Sequence, residues 1–217
     1  MPGTPAPRLP LPARTAEGRL VVVARAQQAA DYDAVIDALI AAGVPSIELT
    51  LTTPGTLERL PELREKYGEA IDLGIGTVTN RDQLDRAVSG GAQYLVTPVT
   101  DPEIIRASVD AGVPIVPGGL TPSELFTSWR LGASAVKIFP AGVVGSAYVK
   151  DLRGPFPGLQ VVPSGGVDLD SARGWLDAGA LAVSVGGPLL GDAFRGGDLG
   201  ALRERAAAFV RLCGQGD

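Results

Sequence analysis

The chain has 217 residues, 45% of them hydrophobic, with 19 basic and 24 acidic side chains and a net charge of −5. That length suits one domain, no apolar run approaches the roughly 20 residues needed to cross a bilayer, and no basic cluster would neutralise a row of phosphates, which argues against membrane insertion and nucleic-acid binding. With no histidine and a single cysteine, Cys213, the sequence has no Ser-His-Asp triad, no imidazole metal site and no intrachain disulfide, so a cytoplasmic protein is expected and any catalysis must use Lys, Glu, Asp, Tyr or backbone groups.

Residues 1–18 are rich in Pro and Ala, carry Arg8 and Arg14, and lack the continuous apolar core of a secretory signal; they read as a flexible N-terminal extension. From 19 to 217, short apolar runs alternate with segments of helical periodicity. Strands are predicted at Leu20–Arg25, Ser46–Thr50, Ile71–Gly76, Ala92–Val96, Val113–Pro117, Ala135–Phe139, Leu159–Pro163 and Leu181–Val185. Between the first two, Val35, Ile36, Leu39 and Ile40 give 31–42 one apolar helical face, and Gly43 stops it. Units such as Ala41-Ala42-Gly43-Val44, Asp110-Ala111-Gly112-Val113 and Asp177-Ala178-Gly179-Ala180 recur at the end of predicted helices, approximating a βα repeat of about 20 to 25 residues. Eight such units predict an α/β fold, a single-domain (β/α)8 TIM barrel, with a doubly wound open sheet as the alternative.

A barrel gathers its chemistry at the C-terminal ends of the strands. The residues at those ends are Arg25, Glu48, Thr77, Thr97 with Pro98, Lys137, and the glycine pairs Gly165-Gly166 and Gly186-Gly187. Lys137, one of three lysines, stands in the run Ala135-Val136-Lys137-Ile138-Phe139, where a snorkelling surface lysine is the alternative to a functional amine. Glu48 lies between Ile47 and Leu49, where an unpaired carboxylate would be costly, and a structural salt bridge to Arg25 is its other reading. An amine and a carboxylate facing one cavity suit Schiff-base chemistry, in which the amine adds to a ketone and the carboxylate moves protons. The glycine pairs follow strands seven and eight, where many barrels bind phosphate through backbone N–H groups; tight turns are the alternative. Gly74 and Gly76 lack the third glycine of a dinucleotide fingerprint, so no nicotinamide cofactor is expected.

Glu48 in Ile47-Glu48-Leu49-Thr50, Gly76-Thr77-Val78, Val136-Lys137-Ile138-Phe139-Pro140, Ser164-Gly165-Gly166-Val167 and Gly186-Gly187 together resemble the 2-keto-3-deoxy-6-phosphogluconate aldolase family. That family includes 4-hydroxy-2-oxoglutarate and 2-keto-3-deoxy-6-phosphogalactonate aldolases. The resemblance runs from about residue 20 to the end. It implies a class I aldolase without metal or cofactor, commonly a homotrimer, that releases pyruvate and D-glyceraldehyde 3-phosphate from a phosphorylated keto acid. Lys137 would then form the Schiff base and Glu48 act as general acid/base. Arg25, Thr77, Pro98, Phe139 and Ser164 would contact substrate, and Gly165, Gly166, Gly186 and Gly187 would hold its phosphate.

Two positions bear on the substrate. Many members carry an arginine four residues beyond the glutamate, where this chain has Thr52, a feature shared with galactonate-type members. Ser164 precedes the first glycine pair, where gluconate-type members resemble Pro-Thr-Gly-Gly, and its hydroxyl favours the gluconate. The competing functions are a barrel that binds a phosphorylated metabolite without cleaving it, and a phosphate-binding synthase or epimerase that needs no buried lysine.

Overall fold

The computed structural model describes residues 8–214. The elements in chain order are α1 (Ala13–Gly18), β1 (Leu20–Ala24), α2 (Tyr32–Ala41), β2 (Ser46–Thr50), α3 (Thr56–Tyr67), β3 (Asp72–Gly76), α4 (Arg81–Ser89), β4 (Leu95–Thr97) and α5 (Pro102–Asp110). They continue with β5 (Ile115–Gly119), α6 (Pro122–Arg130), β6 (Val136–Ile138), α7 (Ala147–Arg153), β7 (Val161–Pro163), α8 (Leu169–Asp177), β8 (Val183–Val185), α9 (Gly187–Leu190) and α10 (Leu199–Gly214).

The eight strands form one parallel sheet in the order β7-β6-β5-β4-β3-β2-β1-β8. Its two edges meet through a bridge between Ser164 and Ser184, whose hydroxyl oxygens lie 3.1 Å apart, which brings the sheet round into the expected (β/α)8 barrel. The larger apolar core lies between strands and helices, and a smaller one, including Val21, Tyr94, Val96, Val116 and Val162, fills the barrel interior.

Five helices end in one way. Gly43, Gly91, Gly112, Gly132 and Gly179 all have φ between 72° and 101°. The next residue's N–H then donates back into the last turn: Val44 to Leu39, Ala92 to Ala87, Val113 to Ser108, Ala133 to Ser128 and Ala180 to Trp175. This is the glycine-terminated Schellman cap, which satisfies carbonyls that the helix end leaves without partners. It also corrects two strand boundaries. The predicted strands Ala92–Val96 and Val113–Pro117 begin at Leu95 and Ile115 instead, because Ala92 and Val113 are engaged in caps, and the ladders run on to Thr97 and Gly119.

The expected flexible extension at 1–18 is corrected over 8–18; residues 1–7 lie outside the described part. Residues 8–18 cross the end of the barrel where the strands begin, and Leu11 joins the interior core. Thr15 donates both its N–H and its hydroxyl to Asp72 Oδ2, at 2.8 Å each, and Asp72 is 2% exposed. Arg8 stacks on Trp129, 3.4 Å from the ring centroid, and donates to the carbonyls of Trp129 and Ala133. Each anchor joins positions more than 50 apart in sequence, so no local pattern announces it.

Cys213 is buried on α10, and burial pushes its thiol up to about 11. A thiol of that pKa is thiolate in only about one molecule in a thousand at pH 8. Native protein at that pH should therefore leave a colorimetric thiol reagent unreacted, with one equivalent consumed on addition of denaturant. Rapid consumption by the native protein would contradict this burial.

Candidate active site

The mouth formed by the strands' C-terminal ends opens into a cavity of about 520 Å³. Lys137, Glu48, Arg25, Thr77, Pro98, Phe139, Ser164, Gly165, Gly166, Gly186 and Gly187 all line it. These positions are thus brought to one place, although they come from seven different strands or the loops that follow them; Thr97, beside Pro98, is buried outside the lining.

Glu48 and Lys137 lie deepest. Lys137 Nζ is 3.9 Å from Glu48 Oε1, with side-chain exposures of 9% and 2%. The lysine therefore points inward and does not snorkel to bulk water. Its ammonium lies 5.2 Å from the centroid of Phe139, within cation–π range. Arg25, the other partner considered for Glu48, has no ion pair or hydrogen bond among the described residues and stands exposed at the mouth.

Space for the glutamate comes from the neighbouring strand. A Cβ at Gly76 would fall 1.9 Å from Glu48 Oε1, and one at Gly74 would fall 2.2 Å from the ring of Tyr94. These glycines, which in the sequence suggested a nucleotide loop only to fail its pattern, are the hollows in β3 that admit Glu48 and Tyr94. Below the pair a small void of about 20 Å³ separates the lysine and glutamate from Leu11, Val21 and Tyr94.

Thr77 follows β3 with φ = 64°. A β-branched side chain in the left-handed region is a genuine outlier, and such strain is concentrated at functional sites. Thr77→Gly should raise unfolding free energy by about 1 kcal/mol through relief of that strain, while lowering turnover by loss of the hydroxyl. Denaturant titration and a turnover assay check the two halves; a destabilised Thr77→Gly protein would show that the conformation is not strained.

Gly165 and Gly166 have φ of 80° and 82°, which L-residues adopt rarely, and neither N–H donates a hydrogen bond among the described residues. Added Cβ atoms there would press on Phe139 and on Gly142 at 3.0 Å. Consecutive glycines of this kind leave N–H groups available to an anion. Ser164 is 4% exposed, and its hydroxyl donates to Ser184. Thr52 does not line the cavity; its hydroxyl lies 3.0 Å from that of Thr50, which does.

The cavity also includes residues that the sequence reading passed over, among them Thr50, Ser184 and Arg195. Ser184 carried a usable signal, a lone hydroxyl in Ala182-Val183-Ser184-Val185 like the lone amine on strand six. Arg195 carried none, since it lies in a polar, glycine-rich connection.

The model of the family "Aldolase: KDPG and KHG aldolase" matches residues 12–203. The chain belongs to the KDPG and KHG aldolase family. It is 34% identical over 178 residues to the 2-dehydro-3-deoxy-6-phosphogalactonate aldolase of Escherichia coli, covering 81% of this chain and 85% of that one. It is 35% identical over 172 residues to the 2-dehydro-3-deoxy-phosphogluconate aldolase of Pseudomonas aeruginosa, covering 79% and 77%. Among solved structures, a native KDPGal structure superposes with a TM-score of 0.82 at 31% identity, over 97% of this chain and 95% of that chain. The family match begins at residue 12, inside the segment that crosses the base of the barrel. Among the described residues of this aldolase-family chain no group of three or more Cys, Asp or Glu could hold a metal ion, and no helix is long and apolar enough to cross a membrane.

Proposed function

We propose that the protein is a class I aldolase that cleaves 2-keto-3-deoxy-6-phosphogluconate to pyruvate and D-glyceraldehyde 3-phosphate in the cytoplasm. The observation that carries this reading is the buried Lys137–Glu48 pair, 3.9 Å apart at the floor of a cavity otherwise open at the strand ends. Lys137 Nζ adds to the C2 carbonyl, and loss of water leaves an iminium. Glu48, directly or across one water, accepts the proton of the C4 hydroxyl as the C3–C4 bond breaks and its electrons flow into the iminium. The aldehyde departs, Glu48 returns the proton to C3, and hydrolysis of the iminium frees pyruvate and Lys137. Arg25, Thr77, Pro98, Phe139 and Ser164 contact the substrate chain. The N–H groups of Gly165, Gly166 and the Gly186-Gly187 turn receive its phosphate.

The C4 epimer, 2-keto-3-deoxy-6-phosphogalactonate, is the second reading, and Thr52 favours it. With no arginine there, the substrate carboxylate depends on Arg25 and backbone donors. Ser164, whose hydroxyl-bearing side chain is among the cavity's lining residues, favours the gluconate.

Borohydride reduction in the presence of pyruvate should fix one adduct per chain on the peptide containing Lys137, and chelators should leave turnover unchanged. Pyruvate release from the gluconate, the galactonate and 4-hydroxy-2-oxoglutarate, compared as kcat/KM, then ranks the substrates. No adduct and no pyruvate from any of the three would overturn the reading. A homotrimer is the assembly proposed with it, and the apolar side chains of Val99 and Val143, 56% and 68% exposed on the mouth side, supply surface for it. Sedimentation at three times 22.2 kDa checks this.

A further inference from the structure

One charged side chain in the cavity has no part in the chemistry above. Arg195 closes a short 3-10 turn, Ala193–Arg195, in the connection between α9 and α10. That connection is firmly held: Arg205 of α10 donates to the carbonyls of Leu189 at 2.9 Å and Leu190 at 3.2 Å, and the N–H groups of Arg195 and Gly197 both donate to Asp192 O. Phe194 sets its ring edge-on to buried Tyr32, with centroids 6.0 Å apart. The backbone of Arg195 is thus anchored on both sides, and its exposed side chain lines the cavity along with Gly186 and Gly187. Among the described residues it has no carboxylate partner, and its one hydrogen bond, to Gly191 O, is at the 3.5 Å limit.

The adjoining turn offers few donors. Pro188 has no N–H, and those of Leu189 and Leu190 both go to Gly186 O. In that turn the N–H groups of Gly186 and Gly187 remain, with those of Gly165 and Gly166 also on the cavity wall. A phosphate monoester carries about −1.5 to −2 charge and three acceptor oxygens, a charge that four neutral N–H groups do not balance. Charge across the cavity points the same way: Lys137 and Glu48 offset each other, which leaves Arg25 and Arg195 as positive charges for a ligand with a carboxylate at one end and a phosphate at the other.

We infer that Arg195 is the side-chain cation of the phosphate subsite and sets the preference for phosphorylated over unphosphorylated keto acids. The inference rests on the aldolase reading for its substrate, and on Arg195 and the neighbouring turns for its chemistry. A guanidinium engages phosphate with two parallel N–H donors, a geometry that lysine cannot reproduce.

The test compares wild type with Arg195→Gln and Arg195→Lys on 2-keto-3-deoxy-6-phosphogluconate and on the same keto acid without phosphate, with inorganic phosphate as a competitor. Arg195→Gln should raise KM for the phosphorylated substrate about 10- to 100-fold, the usual loss of a charge-assisted contact, with kcat within about twofold. KM for the unphosphorylated acid and the yield of the pyruvate–borohydride adduct should not move, inhibition by inorganic phosphate should weaken in parallel, and Arg195→Lys should recover part of the loss. Equal losses on both substrates, or unchanged phosphate inhibition, would overturn the inference. Should wild type release no pyruvate at all, the aldolase reading fails separately. Calorimetric titration of inorganic phosphate into wild type and Arg195→Gln then decides the role of Arg195, equal affinities refuting it.

Discussion

Lys137→Met is expected to abolish pyruvate release, by on the order of 10⁴-fold or more, because the nucleophile of the covalent route is lost and the remaining groups can only bind and orient. Methionine keeps the length and apolar stem of the side chain, so strand β6 should form normally. The substitution has a second effect. Glu48, 2% exposed, loses the ion partner it has among the described residues, and an uncompensated buried carboxylate costs about 3 kcal/mol. Lower activity could then be mistaken for a fold defect. The double variant Lys137→Met/Glu48→Gln separates the two: it should recover most of the thermal stability and none of the activity. Pyruvate release above about one per cent of wild type in either variant would mean that Lys137 is not the nucleophile.

Gly76→Ala is expected to lower kcat by about 10²-fold or more, the contribution of a positioned general acid/base. An added Cβ would meet Glu48 Oε1 at 1.9 Å and its Cγ and Cδ at 2.5 Å, so the carboxylate cannot keep its place. Overpacking a filled interior costs about 1–3 kcal/mol, and an unfolding curve should register it. Gly74→Ala is the matched control. Its Cβ would strike the ring of Tyr94, one layer nearer the base, and should cost comparable stability with a much smaller loss of kcat. If both variants lost activity in proportion to stability, the hollow at Gly76 would be packing alone.

Several features of the site were legible because polar residues interrupted apolar runs. Lys137 and Glu48 each stand alone among aliphatic neighbours on a strand, and burial of a charge is expensive enough to make such a position informative. The glycine pairs were legible from their place after the last two strands. What stayed hidden depends on neighbours across the sheet or across the chain. Gly74 and Gly76 take their meaning from Tyr94 and Glu48 on adjacent strands. Leu11 and Thr15 are single anchors to distant partners in a segment without periodicity. The starts of β4 and β5 were placed early because an apolar residue after a glycine looks like the first residue of a strand, whereas Ala92 and Val113 close the preceding helix. Arg195 had no apolar background to stand out against.

The segment across the base of the barrel bears on traffic through the site. Among the described residues, Leu11 and the residues packed with it stop the barrel at one end, and the cavity opens at the other, where the glycine loops lie. Under the proposed chemistry the three-carbon piece tethered to Lys137 lies at the bottom of that cavity, and the phosphorylated piece fills the space between it and the opening. Departure is therefore sequential: the aldehyde leaves first and pyruvate follows. In the reverse, bond-forming direction pyruvate must enter before its partner, because an aldehyde that arrives early blocks the way to the amine.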